Sequence, residues 1–208
     1  MEIIRLSQIQ VSEKKRIHEA LQRGAAIAYP TDTLYGVGVD IHQPAGVEKL
    51  LAIKGSERDK PVSVLYPNIA RVIQDFPNIN PYQRRIVNTL LPGPITLILP
   101  VDSDSRFPEP FVRNGYVGVR VVDLPPLNRL LAEYPHPIST TSINPAGLPP
   151  ARSVPEILAY FPTEFDLIVD NGSLNGQAST AIKILHESYQ LLRLGSMSEQ
   201  IIEKRLNR

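Results

Sequence analysis

With 208 residues, 42% hydrophobic and 21% charged, the chain has the length and composition of one globular domain that can bury a core. A net charge of +1 demands neither a nucleic acid nor an anionic membrane as partner, although a local basic groove is compatible with it. The absence of cysteine excludes disulfides, thiolate catalysis and Cys-ligated zinc. No apolar run nears the ~20 residues of a membrane span, and Met1-Glu2-Ile3-Ile4-Arg5 lacks the apolar core of a signal peptide, so a soluble, cytoplasmic protein is expected.

Residues 12–23 read as a helix capped by Ser12, with Ile17, Ala20 and Leu21 on one face and Gly24 as its stop. Residues 25–29 form a short apolar strand that runs into Pro30 and a polar turn. A second helix is expected over 44–53, with Pro44 in its first turn, Val47, Leu50 and Leu51 as its apolar face, and Gly55 at its end. Lys54 thus stands at a helix exit beside a charged loop. A strand follows at 61–65, a helix at 81–91 and a strand at 95–99. Beyond a loop over 102–115 come a strand at 117–122, a helix at 125–132 and a strand at 137–141. After a turn over 144–150, a helix at 154–160 leads to strands at 166–169, 180–184 and 191–193, and a helix over 198–206 closes the chain.

Strands and helices alternate early and strands dominate later. The pattern predicts an α/β (α+β) fold, a twisted mixed β-sheet with flanking helices. The 20 prolines are spread along the chain and mark element ends, not a linker, so a single domain over 1–208 with no second C-terminal domain is expected. In such sheets ligands bind where strands run out into loops. Three polar turns stand at such places: after Tyr29, around 140–144, and before Thr180.

The first turn, Thr31-Asp32-Thr33, can hold a small polar ligand such as an amino acid. Hydroxyls and a carboxylate that bond their own backbone are the commoner use of such residues. The run from Lys54 to Lys60 can clamp a polyphosphate, or be a solvated surface loop; it lacks the spacing of a P-loop. The run Thr140-Thr141-Ser142-Ile143-Asn144 suits phosphate or carboxylate binding, or is a capped turn. Four histidines, His18, His42, His136 and His186, are scattered without metal-ligand spacing, and no nucleophile elbow is present.

In this order, Pro30-Thr31-Asp32-Thr33-Leu34-Tyr35-Gly36, the Lys54–Val62 run, Leu91-Pro92-Gly93-Pro94-Ile95-Thr96, Gly118-Val119-Arg120-Val121-Val122, Thr140–Asn144 and Arg193-Leu194-Gly195 resemble the motifs of the YrdC/YciO family of threonylcarbamoyl-AMP synthases. The resemblance covers about residues 12–196. It implies a YrdC-like sheet around a large open cavity. It also implies a nucleotidyltransferase that makes threonylcarbamoyl-AMP and pyrophosphate from L-threonine, bicarbonate and ATP, for tRNA threonylcarbamoyladenosine formation by downstream threonylcarbamoyl transferase proteins. By the family pattern Thr33, Arg120 and Thr180 contact threonine, and Lys54, Ser142, Asn144 and Arg193 contact ATP, whose Mg²⁺ is held by phosphates and water. Lys54 and Arg58 are the expected catalytic cations.

Three positions depart from the pattern: Ser56 where an arginine belongs, Leu65 where a histidine is frequent, and Leu194 within the late Arg-Pro-Gly. The YciO branch shares a divergent region here. The alternative that follows is a nucleotide- or double-stranded-RNA-binding protein without efficient synthase activity.

Overall fold

Residue alternation along one short strand sets the two faces of the sheet. Ile27 and Tyr29 pack with Ile17 and Leu21, while Ala28 joins Tyr35, Val37 and Leu50 on the other side. The structure, a computed structural model, describes residues 1–57 and 61–207. Its strands are β1 (Glu2–Arg5), β2 (Ile27–Tyr29), β3 (Gly36–Gly38), β4 (Ser63–Leu65), β5 (Ile95–Pro100), β6 (Val112–Arg113), β7 (Tyr116–Arg120), β8 (Ile138–Ser142), β9 (Leu167–Asp170), β10 (Thr180–Ile184) and β11 (Tyr189–Arg193). The helices are α1 (Val11–Gln22), α2 (Pro44–Lys54), α3 (Ile69–Asp75), α4 (Pro81–Leu90), α5 (Pro125–Leu131), α6 (Val154–Tyr160) and α7 (Glu199–Leu206).

The strands form one mixed sheet in the order β1-β9-β2-β3-β8-β4-β7-β5-β10-β11, with β6 paired to β7. Neighbours β1/β9, β9/β2, β4/β7 and β5/β10 are parallel, and the other pairs are antiparallel. The mixed α/β fold expected from the sequence is therefore the one observed. One apolar cluster lies under α1 and α5 with Leu21, Leu127 and Leu131. A larger one gathers α2, α3, α4, α6 and α7 with Leu50, Val72, Ile86, Ile157 and Ile202.

Several local expectations are corrected. Helix α1 begins at Val11 and is capped by Gln10, whose side chain and that of Glu13 form a reciprocal capping box; Ser12 lies inside the helix. At its other end Gly24, at φ +77°, donates to Leu21 O while Ala25 donates to Ala20 O. This Schellman closure explains why Ala25, expected as strand, precedes β2 instead. Gly24 also lies against α2, where a Cβ would stand 3.0 Å from Gly46 N. That contact turns Gly46, Leu50 and Ile53 inward, and Val47 and Leu51 are only partly buried. Strands β1, β3 and β6 and helix α3 were not expected. Each is short, and β3 reads in sequence as part of a glycine-rich turn.

Candidate functional site

The turn between β2 and β3 uses its hydroxyls in two ways. Thr31 Oγ1 donates to Leu34 O at 2.7 Å and accepts from Thr33 N and Leu34 N, so it holds the turn itself. Thr33 Oγ1 bonds Thr31 Oγ1 at 2.8 Å and accepts from Arg120 Nη2 at 3.2 Å. The two readings of this turn thus divide between its two threonines. Tyr35 at its exit is buried, and its hydroxyl donates to Gly172 O at 2.8 Å, tying the turn to the segment after β9. Across that turn, a Cβ on Gly176 would stand 2.3 Å from Thr33 O, so only glycine lets the 171–179 segment cross here.

Arg120 closes β7 and is 7% exposed. Its Nη2 donates to Asp32 Oδ1 at 2.7 Å, and Asp32 Oδ2 accepts from Asp123 N at 3.0 Å. Burial raises the Asp32 carboxyl above its ordinary range, offset in part by the Arg120 charge, and burial likewise lowers Arg120. Bonded to both Arg120 Nη2 and Asp123 N, the Asp32 side chain fixes the guanidinium in place. Arg120 Nε is buried without a protein partner among the described residues. A fixed, incompletely paired guanidinium fits a planar anion such as a carboxylate.

Two adjoining cavities open on this corner. The smaller, about 130 Å³, is lined by Thr31, Thr33, Tyr35, Arg120 and Ser179. The larger, about 800 Å³, is lined by Lys54, Ser142, Asn144, Lys183 and Arg193. They share Ser63, Thr96, Thr141, Ser142 and Arg193 as a common wall. The floor is cut low at Gly118, where a Cβ would lie 2.5 Å from Ser63 Oγ. Ser142 Oγ donates to Asn144 Oδ1 at 2.8 Å. Arg193 donates from Nε and Nη2 to Ser179 O at 3.2 and 2.9 Å, and Ser179 Oγ bonds Thr96 Oγ1 at 2.9 Å.

Of the residues singled out from sequence, Thr33, Arg120, Lys54, Ser142, Asn144 and Arg193 all line this pair of cavities. Arg58 lies outside the described residues. Thr180 is set apart from them: it is fully buried, lines neither cavity, and its hydroxyl is bonded to the backbone of Gly195 and Met197. Sequence parity carried the warning, because Thr180 shares its strand face with the buried Ile182 and Ile184. The same parity points Ala181 and Lys183 at the larger cavity, and Lys183, with its ammonium 3.8 Å from the Tyr116 ring centroid, was missed. Leu65 is buried in the core beside α5. Among the described residues no group of three or more His, Asp or Glu side chains is placed to hold a metal ion, and no helix is long and apolar enough to cross a membrane.

The family model Sua5/YciO/YrdC, described as telomere recombination, matches residues 19–195. The chain belongs to that family. Within it, a threonylcarbamoyl-AMP synthase of Photobacterium profundum is 34% identical over 147 residues, covering 69% of this chain and 78% of the relative. A crystal structure of P. abyssi Sua5 complexed with L-threonine superposes with a TM-score of 0.86 at 25% identity, over 98% of this chain and 59% of that one. This chain therefore spans less than two thirds of that longer protein. E. coli YciO shares the fold at a TM-score of 0.83 and 22% identity, over 97% of this chain and 98% of its own.

Proposed function

We propose that the paired cavities bind L-threonine and ATP and that the protein is a threonylcarbamoyl-AMP synthase. The observation that carries this reading is Arg120, buried and fixed by Asp32 and Thr33 in the corner next to a cavity lined by Lys54 and Arg193. The threonine-bound family structure and the synthase relatives support the choice of ligands.

In the proposed reaction the threonine amine and bicarbonate form a carbamate with loss of water. A carbamate oxygen then attacks the α-phosphorus, a new P–O bond forms, and the bond to pyrophosphate breaks. Arg120 holds the threonine carboxylate and Thr33 lies beside it. Lys54 and Arg193 offset the phosphate charge, and Ser142 and Asn144 flank the nucleotide. Positioning and charge stabilisation supply the catalysis, so no histidine or cysteine nucleophile enters. The hydroxyls and amide of the larger cavity fit a Mg²⁺ held mainly by phosphates and water, and the ion would neutralise charge on the departing pyrophosphate. The product would serve tRNA modification by a downstream transferase, in the cytoplasm.

Ser56, an exposed residue in the helical turn after α2, favours a second reading: a nucleotide- or RNA-binding protein with little synthase activity. Titration calorimetry of L-threonine and ATP decides between them together with Ser56→Arg. The synthase reading expects wild type to bind both ligands. Ser56→Arg should tighten ATP by roughly tenfold, the worth of one charge-assisted hydrogen bond, and leave threonine unchanged. Wild-type protein that binds ATP but not threonine would favour the second reading, and binding of neither would sink both.

A further inference from the structure

We infer that Thr180 is a positioning residue for Arg193. The hydroxyl of Thr180 donates to Met197 O at 2.5 Å and accepts from Gly195 N at 2.9 Å and Met197 N at 3.1 Å. One donated and two accepted bonds exhaust a hydroxyl, so none remains for a ligand. These bonds pin the chain that leaves β11 directly after Arg193. Two more bonds fasten it from outside: Ser196 N donates to Ala178 O at 2.9 Å, and Ser196 Oγ donates to Gln177 O at 2.8 Å.

Gly195 makes the approach possible. A Cβ there would stand 2.1 Å from Ala178 O and 2.7 Å from Ser179 O, both backbone atoms that cannot step aside. A shift in register between Ala181 and Ile182 opposes Ala181 to Arg193, the kind of bulge that re-aims a side chain at a strand end. Arg193 is thereby laid along Ser179, with Nε and Nη2 on its carbonyl and Nη2 on its hydroxyl at 3.2 Å. Ser179 is in turn bonded to Thr96 on the shared cavity wall. The Nη1 donors of Arg193 have no protein partner among the described residues, so the guanidinium is held by one edge and presents the other to a ligand. Thr180 thus acts on the ligand through Arg193, from the buried face of the strand.

That the ligand is the ATP phosphate chain rests on the proposed function; that Thr180 places Arg193 does not. The test accordingly has two readouts. The first needs no ligand: the Arg193 Nε–H resonance, assigned by its loss in Arg193→Lys, is followed for exchange with solvent. Wild type and Thr180→Ser, which keeps the hydroxyl, should show a protected signal. Thr180→Val, which keeps the shape and loses the hydroxyl, should show faster exchange. Gly195→Ala, whose Cβ would push the same segment off the backbone of Ala178 and Ser179, should do likewise and stands in should Thr180→Val fail to fold.

The second readout is calorimetry. Thr180→Val should weaken ATP by about tenfold and leave L-threonine within about twofold, with Thr180→Ser close to wild type. Unchanged Nε–H protection in folded Thr180→Val and Gly195→Ala would overturn the proposal. So would a loss of threonine affinity in Thr180→Val with ATP unaffected, since that is the mark of a direct threonine contact. Wild type that binds neither ligand would remove the functional reading, and the exchange rates would still decide the role of Thr180.

Discussion

Arg120→Met is expected to abolish measurable L-threonine binding and to destabilise the fold at the same time. The guanidinium is the one arginine in the small cavity that is both buried and bonded to the threonine-bearing turn, through Asp32 at 2.7 Å and Thr33 at 3.2 Å. A bidentate carboxylate contact carries two charge-assisted hydrogen bonds, so its loss should weaken threonine by roughly 100-fold or more. Asp32, with its side chain 8% exposed, would be left buried without its counter-charge. Breaking one side of such a pair costs about 3–5 kcal/mol. Thermal unfolding and calorimetry read the two effects, and Asp32→Asn added to Arg120→Met separates them. The double variant should recover much of the stability and none of the threonine affinity. Recovery of both would mean that Arg120 only holds the turn.

Lys54→Met should fall mainly on catalysis with ATP. Lys54 is the last residue of α2 and lines the larger cavity together with Ser142 and Arg193. Removing one preorganised donor from a site of developing charge costs about 100- to 1,000-fold in turnover. The expected result is a fall of that order in kcat with a weaker ATP affinity, while L-threonine affinity changes little because Lys54 does not line the smaller cavity. Lys54→Arg should retain part of the rate, since it keeps the charge and changes the geometry. A threonine affinity that fell as far as the ATP affinity would show that the two cavities are not separate subsites.

Much of the sheet was legible because short, largely apolar runs such as 27–29, 95–99 and 167–169 stop at proline, glycine or polar turns, and these runs are strands. What escaped had weak local signals. Gln10 is an uncommon helix cap, so the expected start of α1 falls one residue late and its expected cap two. Strand β3 is Gly36-Val37-Gly38, whose glycines argue against a strand until Tyr29 is seen lying across them; a Cβ on Gly38 would stand 2.7 Å from that ring. The residues that line the cavities were marked by family motifs, not by spacing: nothing local says that Asp32 and Arg120, 88 residues apart, form a buried pair. At Thr180 family motif and strand parity point different ways. Its position in the motif suggested a ligand contact, and the period-2 alternation with Ile182 and Ile184 placed it on the buried face. Lys183, one residue off that parity, was the cavity cation to be found there.

A threonylcarbamoyl-AMP synthase must carry out the complete reaction. Purified wild-type protein is incubated with Mg²⁺, ATP, L-threonine and ¹³C-bicarbonate, and released pyrophosphate is measured beside ¹³C in the nucleotide product. The expected result is pyrophosphate in step with a ¹³C-labelled threonylcarbamoyl adenylate, and neither when any one of the three substrates is left out. Pyrophosphate release that proceeds without threonine, or no labelled adenylate at saturating substrates, would contradict it.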